Sequence, residues 1–316
     1  MRLLRLAAPS LVAVLLAVLV AACGSGASRP PASTTGGPSQ RPSASATGPS
    51  VLPVIVSSEL GVGVNRLVLS LLDGTGSRPV AAPDLLLGAT FSGPNGAKAG
   101  PIEGKFVWAI LDEVGFYTAP VEFSVAGPWQ AEFEVTSADA RTEIIPFKFD
   151  VLENTSVLRP GDTAPAVETP TAADVGGDLS RLSTDEDPEP SFYERSVAQA
   201  RREGEPFVLA FATPKFCVTG ACGPTLDRLK PVAADYPDVT FINVEPYQLE
   251  LVDGQLQPVR DAAGNLQEVE SVRAYGLVSE PYLFVVGADG AIVASFEAVF
   301  GEPELRTVLD TLTDSG

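Results

Sequence analysis

The 316-residue sequence has no histidine, one methionine and only three cysteines. Without histidine there is no imidazole general base, and Ser-His-Asp and Cys-His catalytic couples are excluded. Copper, zinc and haem sites also lose their commonest protein ligand. Any chemistry must therefore rest on thiols, carboxylates or backbone groups, and we expect neither a metal nor an organic cofactor.

Basic residues are also scarce, because 21 Lys and Arg face 40 Asp and Glu, which gives a formal charge of −19. Loss of residues 1–22 would remove Arg2 and Arg5 and no acid, lowering the charge by two, to −21. A chain this acidic is repelled by nucleic acid and by anionic lipid head groups. We therefore expect no nucleic-acid partner.

The apolar stretch at residues 11–19 is too short to span a bilayer comfortably. It follows a basic start and precedes Val20-Ala-Ala-Cys23, which resembles the lipobox of bacterial lipoproteins. Residues 1–22 are thus predicted to be a lipoprotein signal peptide, and residues 23–50, rich in Ser, Pro and Gly, a disordered tether. The resemblance implies lipidation of Cys23 and a membrane-anchored protein on the extracytoplasmic face. An ordinary cleavable signal with an incidental cysteine is the alternative.

Residues 51–152 alternate between apolar and polar side chains, as in Ala131, Phe133 and Val135. Several short strands with turn signals between them predict an all-β sandwich. The stretch from Gly115 to Trp129 resembles the immunoglobulin-like domains of exported bacterial proteins. Residues 153–190 are acidic and rich in proline and are predicted to be a solvated linker, with a binding role for the acidic residues 185–189 as the alternative.

Residues 191–316 change pattern and predict helices alternating with buried strands. A capping box at Ser191 and Glu194 is expected to open the first helix. Further helices are expected at 225–234, 269–275 and 302–312, and strands at 207–211, 239–244, 281–286 and 291–296. This order predicts an α/β domain with a mixed sheet.

Cys217 and Cys222 lie where a predicted strand turns into a helix. Free N–H groups at a helix N-terminus stabilise a thiolate, and a second thiol within reach allows a dithiol to cycle with a disulfide. A bridge this short restrains little chain entropy as a staple. The pair therefore favours redox chemistry over a purely structural disulfide.

The C-terminal pattern resembles the thioredoxin family, on the strand at 207–211, the cysteine turn, Cys222-Gly223-Pro224, Glu280-Pro281 and the Asp289-Gly290 hairpin. The resemblance implies an α/β thioredoxin-like fold with a mixed sheet. It also implies a cis peptide bond before Pro281 and a substrate chain pairing beside Glu280 and Pro281.

The chain departs from that family in its cysteine spacing, because four residues separate the thiols where thioredoxins have two. The resemblance therefore does not assign the nucleophile. Because Pro224 suits a first helical turn, the helix-terminus argument favours Cys222 as the attacking thiolate.

Three other activities are considered. Thr219-Gly-Ala-Cys222 resembles the Thr-x-x-Cys of peroxiredoxins, which implies a thiol peroxidase in which Thr219 orients the cysteine. Copper-delivering relatives of thioredoxin require a histidine, which this chain lacks. The third is a redox-inert binding or scaffold lipoprotein whose disulfide is structural.

We expect an extracytoplasmic thiol–disulfide oxidoreductase that uses the Cys217/Cys222 pair. Its partners would be protein thiols or disulfides and a second redox protein that recharges the pair. The sequence does not indicate whether the protein reduces or oxidises its substrates. It also does not identify these substrates or the ligand of the sandwich.

Overall fold

Alternating side chains build the first eight strands of the computed structural model, which describes residues 48–313. The signal peptide, Cys23 and the tether up to residue 47 lie outside this described part. The strands are β1 (Val51–Ile55), β2 (Gly63–Asp73), β3 (Leu86–Ser92), β4 (Lys98–Glu103), β5 (Lys105–Ile110), β6 (Val114–Phe123), β7 (Gly127–Thr136) and β8 (Thr142–Val151).

These strands form two antiparallel four-stranded sheets, ordered β1-β2-β6-β5 and β4-β3-β7-β8. In β7 the buried side chains alternate with exposed ones, so Trp129, Phe133 and their same-face neighbours point into one apolar core shared by both sheets. Burial of each such large apolar side chain stabilises the fold by roughly 1.5–3 kcal/mol. The predicted sandwich of strands is therefore present over these residues.

Residues 153–190, predicted to be a solvated linker, make defined contacts. Val157, Ala164 and Val167 are buried. Short 3-10 turns form at Ala172–Val175 and Leu179–Arg181. The boundaries proposed for this segment remain predictions, but its backbone packs against the neighbouring parts of the chain.

The remaining elements include a third four-stranded sheet. They are α1 (Val197–Glu203), β9 (Phe207–Phe211), α2 (Cys222–Asp235), β10 (Thr240–Val244), β11 (Leu249–Val252), β12 (Gln255–Pro258), α3 (Glu270–Tyr275), β13 (Tyr282–Val286), β14 (Ile292–Glu297) and α4 (Glu302–Thr313). The sheet has the order β10-β9-β13-β14, in which β9 and β10 are parallel and the other pairs antiparallel. All residues of β9 and β13 are buried.

Two local predictions need correction. The first helix does not begin at Ser191, because residues Pro190–Tyr193 form a 3-10 turn. The capping box is instead made by Ser196 and Gln199, which start α1 at Val197. Helix α2 begins three residues earlier than predicted, at Cys222, so this cysteine occupies the first helical position.

The predicted fold class, a β-sandwich followed by an α/β thioredoxin-like domain, is wrong. The described residues contain fourteen strands in four sheets and only four α-helices, two of which have seven and six residues. One reason is that the polar residues 246–266, between β10 and α3, contain the β11–β12 hairpin. The architecture is largely β.

The sandwich packs directly against the C-terminal part. Val68 and Ala109 of the sandwich form one apolar cluster with Ala221 and Val299. Arg228 of α2 donates to the carbonyl oxygens of two residues, Trp108 in β5 and Phe300. Strand β5 therefore lies beside the helix that carries Cys222.

Candidate functional site

The loop between β9 and α2 holds the two cysteines in a disulfide bond. Their Cα atoms are 6.0 Å apart. Strand β9, buried on both faces, fixes the start of the loop, and the first turn of α2 fixes its end. Gly220, with φ of +71°, provides the left-handed turn that brings the chain back toward the helix, and its N–H donates to Cys217 O at 3.3 Å.

The two sulfurs differ in their access to solvent. Cys222 is fully buried, whereas Cys217 is half-buried next to Val218, whose exposed fraction is 88%. A substrate sulfur therefore meets Cys217 first. This geometry favours Cys217 as the attacking sulfur, whereas the position of Pro224 in the sequence favoured Cys222.

Hydrogen bonds also converge on Cys217. The Cys222 N–H, at the first position of α2, donates to Cys217 Sγ at 3.3 Å. The Thr219 hydroxyl lies 3.3 Å from the same sulfur, and it accepts a hydrogen bond from the Ala221 N–H, also at 3.3 Å. The Cys222 N–H at the helix terminus thus donates to Cys217, which precedes the helix. The Thr219 hydroxyl contacts Cys217 instead of Cys222.

The predicted substrate-side residues lie next to the loop. The Glu280–Pro281 peptide bond is cis, as predicted. Burial raises the pKa of Glu280 above its ordinary value, and hydrogen bonds from the Tyr247 hydroxyl and the Val218 N–H offset part of that rise. The Glu280–Pro281 segment therefore lies close to the cysteine loop at Val218. Pro224 lies in the first turn of α2, as predicted, and is half-buried.

The sandwich also contributes residues to the surroundings of the cysteine loop, which the sequence did not indicate. A Cβ atom added to Gly220 would lie 3.7 Å from Ile110 Cδ1, so the end of β5 lies beside the cysteine loop. Ala221, between Gly220 and Cys222, is 4% exposed because the sandwich residues Val68 and Ala109 cover it. No local sequence signal predicts such a contact, since it joins residues about a hundred positions apart.

A polar cavity of about 730 Å³ opens beside the same helix terminus. Pro214, Lys215 and Gly223 line it on the side of the cysteine loop. Four acidic residues from two segments also line it, namely Asp185, Glu186, Asp187 and Asp227. Lys230 pairs with Asp185 and Asp227. Glu186 and Asp187 are exposed and form no ion pair within the described residues.

A larger cleft of about 1260 Å³ lies between the sandwich and β14. Four of the five carboxylates that line it are already bonded within the protein: Glu304 to Arg66, Glu297 to Ser58, Glu59 to Ser156 and Asp162 to the Arg159 N–H, and Glu153 is the fifth. It holds neither cysteine. We therefore place the candidate site at the disulfide.

Two other classes of site, a metal centre and a membrane-spanning helix, are absent from residues 48–313. No group of three or more Cys, Asp or Glu side chains is arranged to hold a metal ion. No helix in this range has both the length and the apolarity needed to cross a membrane.

Comparison with known proteins gives no family assignment. No protein-family profile matches the chain, and no curated protein matches it. Among solved structures, a DUF4426 family protein from Pseudomonas aeruginosa PAO1 aligns with 33% of this chain and 90% of its own length, at 13% identity and a TM-score of 0.25. A similarity of that size carries no argument about function.

The resemblance to the thioredoxin family, including its peroxiredoxin-like branch, is accordingly corrected. The largely β architecture and the absence of any matching family do not support it, nor the assignment of the sandwich as immunoglobulin-like. A cysteine turn, a proline before a strand and an Asp-Gly hairpin are local motifs. Such motifs do not by themselves specify a family.

Proposed function

We propose that this protein is a thiol–disulfide oxidoreductase in which Cys217 attacks the substrate and Cys222 resolves the intermediate. The observation that carries the proposal is the asymmetric disulfide, with one half-buried sulfur that accepts an N–H hydrogen bond and one fully buried sulfur. A nucleophile must be reached by its substrate. A resolving thiol needs only to reach the first sulfur.

The reducing direction begins with both thiols free. The Cys217 thiolate attacks one sulfur of a substrate disulfide, the substrate S–S bond breaks, and the departing thiolate takes up a proton. Cys222 then loses its proton and attacks Cys217 Sγ, which releases the second substrate thiol and forms the Cys217–Cys222 disulfide. Two electrons pass to the substrate, and the reverse sequence oxidises a dithiol.

The proposed reaction uses no metal or organic cofactor, because the sulfurs carry the electrons. It requires two kinds of partner: proteins with thiols or disulfides as substrates, and a second dithiol or disulfide protein that recharges the pair. The direction of net transfer depends on the potential of the pair relative to that second protein.

We place this activity on the extracytoplasmic face of a bacterial membrane, with the protein held by lipid on Cys23. The lipobox-like Val20-Ala-Ala-Cys23 and the Ser, Pro and Gly-rich residues that follow support this location. An extracytoplasmic compartment also favours disulfide chemistry.

A thiol peroxidase with Cys222 as the peroxide-reactive sulfur is less well supported, because Cys222 is fully buried and Thr219 contacts Cys217. A scaffold lipoprotein with a structural disulfide is the remaining alternative. It predicts a bridge that only denaturing reduction opens.

Trapping of mixed disulfides tests the proposal. In the full-length protein, Cys222→Ser should accumulate adducts with substrate proteins, because the first intermediate has lost its internal route of release. Cys217→Ser should accumulate almost none, since the attacking sulfur is absent. Non-reducing gels and mass spectrometry of the adducts measure both.

The control is the wild-type protein, which should resolve its adducts. Trapping by Cys217→Ser alone would reverse the two roles. Absence of adducts from both variants, together with a disulfide that resists mild reductants in the wild type, would contradict the oxidoreductase and leave the structural bridge.

A further inference from the structure

The disulfide lies between apolar and acidic surfaces that the redox reaction itself does not use. On one side, Ile110 at the end of β5 lies next to the cysteine loop, within van der Waals distance of any side chain added at Gly220. The next residue, Leu111, is 70% exposed, and Val218 on the loop is 88% exposed. Leu111 on the β5–β6 hairpin and Val218 on the loop are therefore exposed apolar side chains beside the disulfide. Such side chains form a surface suited to apolar substrate residues.

Acidic side chains flank this surface. Asp112 and Glu113 follow Leu111 at the tip of the β5–β6 hairpin and are exposed. On the other side of the loop, Glu186 and Asp187 are exposed in the lining of the polar cavity. Lys215 is the one basic residue of the loop from 212 to 221. The exposed charges on the two segments that flank the cysteine loop are therefore mainly negative and complement a basic partner.

We propose that the β5–β6 hairpin is a substrate-binding element of the oxidoreductase, and that the substrate is a polypeptide whose reactive cysteine is flanked by apolar and basic residues. The inference rests on the proposed function. Leu111 is the specificity-determining residue for the apolar contact, and Asp112 and Glu113 supply the charge complement. The sandwich then selects the substrate while the cysteine loop carries out the exchange.

Position favours a polypeptide over a small disulfide as the occupant. A small disulfide needs only access to Cys217, which the loop provides without the hairpin. Leu111 and the acidic tip extend the surface beyond the loop, and only a longer ligand contacts both the tip and the sulfur at once. A charged tip of this kind raises the rate of encounter with basic ligands.

The first test compares two substrates with the full-length protein. One is a disulfide-containing peptide with Leu and Lys on both sides of its cysteine, and the other is bis(2-hydroxyethyl) disulfide, which is small and uncharged. Leu111→Ser should lower kcat/KM for the peptide about tenfold, the usual range for loss of one well-packed apolar contact. It should leave the rate with the small disulfide unchanged.

Leu86→Ser is the matched control, because Leu86 is also apolar and 67% exposed but lies on β3 of the other sheet. It should change neither rate. If Leu111→Ser loses no more peptide activity than Leu86→Ser while both keep the small-disulfide rate, the hairpin is not a substrate-binding element, and the oxidoreductase stands. If the wild type neither reduces these two disulfides nor oxidises the corresponding dithiols, the proposed function fails and this inference fails with it.

The second test concerns charge. Asp112→Asn with Glu113→Gln should raise KM for the basic peptide by about three- to fivefold at low salt and by less at high salt, because screening weakens surface charges. Asparagine tolerates the φ of +59° that Asp112 adopts, so the turn is preserved. Glu132→Gln with Glu134→Gln removes the same charge from exposed positions of β7 and should have no effect. Equal effects of the two double variants would overturn the charge complement.

Discussion

At the scale of single residues, Glu245 is a buried carboxyl group that directly follows β10. Its residue surface is 7% exposed. The Thr184 N–H and hydroxyl donate to Oε1 at 2.6 and 2.7 Å, whereas Oε2 has no hydrogen-bond partner within the described residues. The Thr213 hydroxyl faces the carboxyl but also makes no hydrogen bond of ordinary geometry. Burial raises the pKa of Glu245, and its contacts with the two threonines offset only part of that rise.

The raised pKa makes stability depend on pH. Between the ordinary value of 4.5 and the raised value, the folded chain binds one more proton at Glu245 than the unfolded chain. The contribution of this group to stability therefore falls as pH increases through that window, and the loss is complete above the raised pKa.

Glu245→Gln should remove that loss. The amide keeps an acceptor for Thr184, and its NH₂ group supplies a donor to the Thr213 hydroxyl. We expect the free energy of unfolding of the variant, relative to the wild type, to increase by about 1 kcal/mol between about pH 4 and about pH 8. Urea unfolding at both pH values measures it.

The control is Glu132→Gln, which changes an exposed residue of β7 and should shift stability equally at the two pH values. A Glu245→Gln variant whose relative stability is the same at both would show that Glu245 ionises in the folded protein as it does in the unfolded chain.

At the scale of elements, most helices and strands are predictable because their signals are local. The apolar runs of β9 and β13 and the alternation in β7 correspond to observed strands. The predicted helix boundaries are wrong where two capping patterns occur close together in the sequence, as at the start of α1. Both Ser191 and Ser196 precede a residue that suits a capping box, and only Ser196 makes the reciprocal bonds, with Gln199.

Replacement of the two serines separates the signals. Ser196→Ala should lower the free energy of unfolding by about 1 kcal/mol, because the Gln199 N–H loses its acceptor at the helix terminus. Ser191→Ala should lower it by less than about 0.5 kcal/mol, since the Ser191 hydroxyl makes only a solvent-exposed hydrogen bond, to Glu189. Urea unfolding of both variants provides the measurement, and equal losses would show that the Ser196 cap does not stabilise α1.

At the scale of the whole molecule, the sequence did not indicate how the parts come together. The cysteine pair was identifiable from its position between a strand and a helix. The neighbours from the sandwich, Ile110 and Ala109, were not, because contacts between distant segments leave no periodic pattern in the sequence. The same limit explains the wrong fold class, since local motifs of the C-terminal part were given the weight of a whole fold.

Anchoring is also a property of the whole molecule. If Cys23 carries lipid, Cys23→Ser should move the protein from the membrane fraction to the soluble fraction, because two or more attached acyl chains are needed for stable retention. Immunoblots of the separated fractions measure the distribution. Cys217→Ser is the matched control, since it removes a cysteine of the described part and should leave the protein at the membrane. Retention of Cys23→Ser would exclude the lipid anchor.

The contact between β5 and α2 gives the protein an optical consequence. Of its two tryptophans, Trp129 is 2% exposed in the sandwich core, where its indole N–H donates to Val125 O. Trp108 lies in β5, and its carbonyl oxygen accepts from Arg228 on the helix that begins at Cys222. The Trp108 indole packs edge-on against Phe106, with ring centroids 4.8 Å apart, so the two indoles have different surroundings. Light emitted by Trp108 reports on β5, the strand whose backbone contacts the helix of Cys222, whereas Trp129 reports on the interior of the sandwich.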